Sequence, residues 1–195
     1  MTTWARRQLP VALAMLCLFA ARASLADHYL IPSGSMEPTL LPGDRVVVNK
    51  LAYGLRLPFT HLKLLEGDRP ARGDVVIFDS PEDGKRLIKR VVAVGGDLVQ
   101  VRRGHVLIDG VAAVEKSDPN KEDFGDKRAE LDLRYGGGPD VPATRVPEGY
   151  LLVLGDSRGN SRDGRWFGFV RESAIYARAV RVYYRADEGF VWLPL

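Results

Sequence analysis

The sequence predicts a mainly β protein. We expect an antiparallel, barrel-like sheet core with a small β/loop insertion, preceded by one apolar N-terminal helix. Three observations predict this. Short β-branched and aliphatic runs, bounded by Gly, Pro and Asp, recur from Arg45 onward. No long amphipathic pattern and no repeat interrupts them. A single apolar stretch, residues 9–21, stands ahead of them.

That first stretch reads LPVALAMLCLFAA and lies between Arg6-Arg7 and Arg22. A positive start and an apolar run of this length fit a cleaved secretory signal, and Ala21-Arg22-Ala23 supplies an A-x-A pattern. Counted over residues 4–26, with arginines snorkelling at both ends, the segment also fits a thin membrane span. Either way the arginines favour a cytoplasmic N-terminus and an exported remainder.

The exported part reads as strands in order. Residues 45–48 follow the turn Pro42-Gly43-Asp44. Residues 74–78 and 86–94 (RLIKRVVAV) flank Ser80-Pro81-Glu82-Asp83-Gly84 and form a hairpin. Residues 98–102 and 105–108 form another, turned at Arg103-Gly104. From Ala112 to about Pro147 the chain turns polar and Gly-rich, which reads as a loop-rich insertion. Strands resume over 148–154, and residues 175–184 (IYARAVRVYY) alternate and close the sheet.

Composition excludes several classes. Lys+Arg number 28 against 25 Asp+Glu over 195 residues, a net charge of +3, with no concentrated basic run that would suit nucleic acid. The one cysteine, Cys17, lies in the apolar segment, so no intrachain disulfide and no Cys metal site can form. His28, His61 and His105 have no metal-ligand spacing. Neither pattern points to a metal site.

The stretch with chemical promise is Ile31-Pro32-Ser33-Gly34-Ser35-Met36-Glu37-Pro38-Thr39-Leu40. Two serines sit in a Pro/Gly frame that fixes a loop. It is either a polar turn or the seat of a nucleophile that needs a base. Gly155-Asp156-Ser157-Arg158-Gly159 matches the G-x-S-x-G elbow, yet poor helix sequence and no histidine follow it. Lys89 alone among the lysines of the body lies in an apolar strand, sharing a face with Leu87 and Val91. Burial lowers a lysine's pKa toward that of a useful base. The competing reading is an edge lysine placed against aggregation.

Taken together, four ordered blocks resemble type I (leader) signal peptidases, the membrane-anchored Ser–Lys proteases. They are residues 32–40, Arg72-Gly73-Asp74-Val75-Val76, Ile88-Lys89-Arg90-Val91-Val92 with Gly96-Asp97, and residues 155–165. The resemblance implies Ser35 as nucleophile and Lys89 as general base. It implies Ser33 beside the Ser35 N–H in the oxyanion hole and Ser161 holding Lys89. Asp156, Arg158 and Asp163 would brace the last block, and Ile31, Met36, Leu40 and Ile88 would line shallow pockets. It further implies no cofactor, and cleavage of signal peptides from exported preproteins after small residues. An inner-membrane location with a periplasmic catalytic part also follows from it. On this reading 1–26 is the cytoplasmic tip and anchor, 27–97 with 148–195 the catalytic core, and 98–147 an inserted subdomain. The lipid bilayer becomes a partner, and nucleic acid does not.

Ser157 and Gly159 replace the family's Asn and Asp, and Glu37 puts a charge beside the nucleophile or is a solvated loop residue. The rivals are a dedicated conjugative-transfer or pilin-processing peptidase of the same superfamily and a catalytically silent, membrane-anchored β-domain that binds peptides. Self-cleaving repressor proteases also use Ser–Lys, but an exported body argues against them.

Overall fold

The computed structural model describes residues 26–56 and 63–195. The expected apolar helix, with Cys17, Ala21-Arg22-Ala23 and also His61, lies outside them. Among the described residues no helix is long and apolar enough to cross a membrane.

The strands run in order as β1 (Ala26–Leu30), β2 (Arg45–Asn49), β3 (Gly54–Arg56), β4 (Lys63–Glu66), β5 (Val75–Asp79) and β6 (Arg86–Val94). Next come β7 (Leu98–Arg102), β8 (His105–Ile108), β9 (Val111–Ala112), β10 (Val114–Glu115), β11 (Asp118–Asp123) and β12 (Arg128–Glu130). The chain ends through β13 (Val141–Arg145), β14 (Tyr150–Leu154), β15 (Val170–Arg171), β16 (Ile175–Arg185) and β17 (Gly189–Pro194). One short helix, α1 (Gly164–Phe167), precedes β15.

The main sheet has the order β1-β2-β16-β5-β6-β14-β15, with β17 paired to β16. Its pairings are antiparallel. It corrects two expectations. The end strands β1 and β15 do not pair, so no barrel closes. Nor does β16 close the sheet: it lies inside, between β2 and β5. Its eleven residues are long enough to pair with β5 through one end and with β2 and β17 through the rest.

The segment read as loop-rich holds short strands instead. β13-β7-β8-β9 form one sheet and β10-β11-β12 another. The sequence DPNKED of β11 has little strand propensity. Pairing with β10 and β12 and the burial of Glu122, Ala129 and Leu131 hold it extended.

Alternation along the strands builds the core. Ile31, Met36, Leu40, Val46, Val48, Val75, Ile77 and Ile88 pack on one side of the β5–β6 hairpin. Val76, Phe78, Val91, Leu151 and Val153 pack on the other. A third cluster, Val92, Val99, Val101, Val106, Val146 and Leu152, joins β6 and β14 to the smaller sheet.

One ion pair crosses from that smaller region into the core. Arg158 and Glu122 are both fully buried, and Nη2 donates to Oε2 at 2.5 Å. Arg158 also donates to the carbonyls of Gly104 and Gly155. Glu122 accepts from Val106 N–H at 2.7 Å as well. Removing one partner of such a pair strands a buried charge. Glu122→Ala therefore lowers unfolding stability by about 3–5 kcal/mol, as read from the denaturant midpoint; a change within about 0.5 kcal/mol would contradict this.

Candidate active site

The serine loop is presented from below. Ile31 N–H donates to Asp44 O and Gly43 N–H to Ile31 O, both at 2.9 Å, which pins the loop's two ends together. Asp44 is buried and held by Leu41 N–H and Arg185. Between these ends a 3₁₀ turn, Gly34–Met36, follows Ser33 in extended geometry. Met36 and Leu40 are 0% exposed and Ile31 is 1% exposed. They anchor the turn in the core and leave Ser35 half-buried at its surface.

Lys89 comes to this serine from the middle of β6. Register pairs it with Val76, as it pairs Leu87 with Phe78. The face expected from alternation is therefore the observed one, since Val76, Phe78 and Val91 share a cluster against which Leu87 packs. Lys89 is 3% exposed, and its Nζ lies 2.5 Å from Ser35 Oγ. Burial pushes the amine down to about 8 from the ordinary 10.5. The nearby carboxylates of Asp163 and Asp156 push it back up in part, and Arg165 adds to the lowering.

The last block packs against both residues. Ser157 N–H donates to Ser35 O at 3.2 Å. Asp156 is fully buried and accepts from Arg90 Nε at 2.9 Å, Arg90 Nη2 at 2.7 Å and Thr39 Oγ1 at 2.6 Å. Asp163 caps α1 and accepts from Gly155 N–H at 2.9 Å and from Arg165 at 2.7 Å. Three of the expected braces, Asp156, Arg158 and Asp163, are thus all buried and fully engaged. Arg90, Thr39, Arg165 and Glu122 were not picked out from the sequence. For Arg90 a signal existed, since a guanidinium inside an apolar strand needs a buried carboxylate.

Other expected site residues stand differently. Ser33 is exposed, with its side chain free of the capping bond. Ser161 does not hold Lys89: its Oγ is buried without a hydrogen-bond partner. Ser161 is extended, φ −136° and ψ 129°, and its hydroxyl rests against Gly155. Ile31, Met36, Leu40 and, at 5% exposure, Ile88 belong to the core rather than to the wall of an open pocket. The reason is the same burial that anchors the loop. Ser157, the elbow serine, is fully buried and donates to Asp132 at 3.1 Å, so it is a tie and not a nucleophile. Among the described residues no group of His, Cys, Asp and Glu could hold a metal ion.

A loop hydroxyl against a desolvated amine, on an antiparallel β scaffold, defines a Ser–Lys site of the kind that activates serine without histidine. Comparison with known proteins places the chain further. The family model described as signal peptidase, peptidase S26, matches residues 1–184, and the chain belongs to that family. It is 36% identical over 188 residues to the signal peptidase I of Pseudomonas fluorescens, covering 83% of this chain and 66% of that protein. It is 37% identical over 163 residues to that of Pseudomonas aeruginosa, covering 75% and 57%. To that of Aquifex aeolicus it is 32% identical over 219 residues, covering 88% and 81%. The chain thus spans 66% and 57% of the length of the two Pseudomonas relatives.

The lowered amine has two measurable consequences. Reaction of Ser35 with an acylating reagent rises with pH along a limb centred at about 8; a limb near 10.5 would mean that Lys89 is solvated. The unfolded lysine binds its proton up to 10.5 and the folded one only to about 8. The unfolded state therefore holds more protons in that window, and stability rises with pH across it. Below it the buried ammonium is a standing penalty. Lys89→Met removes the penalty and raises the thermal midpoint at pH 6–7 by several degrees, while abolishing acylation.

Proposed function

We propose that this chain is a signal peptidase I, a serine endopeptidase that removes signal peptides from exported preproteins. The observation that carries the reading is the 2.5 Å approach of Lys89 Nζ to Ser35 Oγ, with the amine lowered to about 8. Unprotonated Lys89 accepts the Ser35 proton as Oγ attacks the scissile carbonyl. The oxyanion is met by the Ser35 N–H and the Ser33 hydroxyl. The lysine ammonium then protonates the leaving amine, and the mature protein departs. A water, deprotonated in turn by Lys89, releases the signal peptide from the acyl-enzyme.

The substrate binds as an added strand. β14 pairs with β6 only over residues 90–94, so residues 86–89 have β5 on one side and no described strand on the other. That free edge leads directly to Lys89 and suits β-augmentation by an extended peptide. Selection for small residues follows from the filled core beneath the loop. Ile31, Met36, Leu40 and Ile88 leave no deep pocket, so bulk is refused by clash.

Residues 1–26 serve as anchor in the bacterial inner membrane, with the N-terminus cytoplasmic and the body periplasmic. Arg6 and Arg7 and the apolar run support this. It puts the nucleophile loop, just past β1, close to the bilayer from which preproteins emerge. We take residues 27–97 and 148–195 as the catalytic core and 98–147 as an inserted subdomain.

Cleavage of a preprotein in detergent tests this. Ser35→Ala and Lys89→Ala each abolish it in folded protein, and full activity in either overturns the Ser–Lys assignment. Ser33→Ala lowers the rate about 10²–10³-fold if its hydroxyl faces the oxyanion.

A further inference from the structure

Glu37 is placed two residues after the nucleophile, and its carboxylate is folded back against Gly34. A Cβ on Gly34 would overlap Glu37 Oε1, so the carboxylate lies directly against the residue between Ser33 and Ser35. The other oxygen, Oε2, accepts from Arg134 Nη2 at 3.1 Å. Arg134 belongs to the segment between β12 and β13, far from the nucleophile in sequence.

Arg134 in turn clasps Asp132, with Nε to Oδ1 at 2.9 Å and Nη2 to Oδ2 at 3.0 Å. Its own N–H donates to Oδ1 at 2.9 Å. Arg134, chiefly, holds the Asp132 carboxyl down at about 2, so the clasp stays charged at working pH. Asp132 is bolted to the last block. It accepts from Ser157 Oγ at 3.1 Å, its carbonyl accepts from Arg158 N–H at 3.0 Å, and its N–H donates to Asp156 O at 3.0 Å. Ser157 N–H then reaches Ser35 O. The contacts form a ring that leaves Ser35 through Glu37, passes Arg134, Asp132 and Ser157, and returns to Ser35.

We infer that Glu37 and Arg134 are positioning residues, an ion-pair latch through which the 131–135 segment holds the nucleophile turn at its working height over Lys89. This rests on the proposed function for its catalytic meaning. The ring has two attachments to the nucleophile turn. One is a backbone hydrogen bond that side-chain change leaves in place. The other is the Glu37–Arg134 pair. Opening it frees one side of the turn while the apolar anchors Met36 and Leu40 keep the fold. Arg134 is exposed, so the pair is weak and salt-sensitive. Its loss changes rate a few-fold rather than abolishing it.

The test combines two readouts on the full chain for Glu37→Gln, Arg134→Gln and the double variant. Hydrogen exchange over residues 34–40 reports the turn without reference to activity. Preprotein cleavage reports its consequence. We expect faster exchange in all three variants and kcat lower by about 3–5-fold. KM should be unchanged, and the pH limb should stay at about 8. The double variant should match either single one, because both break the same link. Raising salt to about 0.5 M should slow the wild type toward the variants and leave the variants unchanged. Unchanged exchange overturns the latch whatever the activity. Faster exchange with wild-type kcat, or additive losses in the double variant, overturns the positioning role. Absence of cleavage by the wild type overturns the proposed function itself, and the positioning role falls with it.

Discussion

Everything in this site depends on keeping water from one amine. A lysine in solution is protonated at neutral pH and cannot accept a proton. Lys89 becomes useful only because it is buried, paired to Val76 of β5 and set against Ser35 of the serine loop. For the proposed reaction the enclosure has to be dry on the amine's flanks yet open at Ser35. Lys89 is buried in mid-strand and β14 ends short, so that among the described residues no strand lies on the other edge of residues 86–89. The same desolvation that makes the base makes it a liability for folding. Activity and stability pull against each other at this residue.

Three buried carboxylates are each paired with an arginine. Asp156 takes Arg90, Asp163 takes Arg165, and Glu122 takes Arg158. None of these arginines competes for the role of base, since guanidinium does not release its proton. Their effect is to fix the last block so tightly that it can serve as a template for the serine turn. Asp156 and Asp163 also moderate the lowering of the Lys89 pKa, which keeps the amine near the pH where a base works best. A site stripped of both would have a weaker base, not a stronger one.

The sequence was most legible where alternation and turn chemistry act locally. The β5–β6 hairpin, the β7–β8 hairpin and the face on which Lys89 lies could all be read from residue spacing. The Ser–Lys pairing was legible through its ordered blocks. What could not be read was long-range. Nothing in DPNKED says that Glu122 is a buried partner for Arg158. The terminal strand β17 lies in an aromatic tail, GFVWLP, and is held extended by its pairing with β16. The residues expected to line pockets are buried in the core, and the reason is instructive. Apolar residues beside a nucleophile can serve the substrate or the loop, and one sequence does not distinguish a wall from a foundation.

The two substitutions in the last block take on a different meaning beside the glycine run at 136–138. Gly159 lies so close to the Tyr135 carbonyl that a Cβ there would overlap it, and a Cβ on Gly138 would collide with Arg165 and crowd the Arg158 carbonyl. Ser157, for its part, is just long enough to reach Asp132. The loop from Asp132 to Gly138 and the block from Asp156 to Arg165 are therefore a lock and its key, cut to each other. In a chimera between this chain and a relative that carries Asp at position 159, neither piece could be exchanged alone. They would have to travel together as one module, although residues of β13 and β14 separate them in the chain.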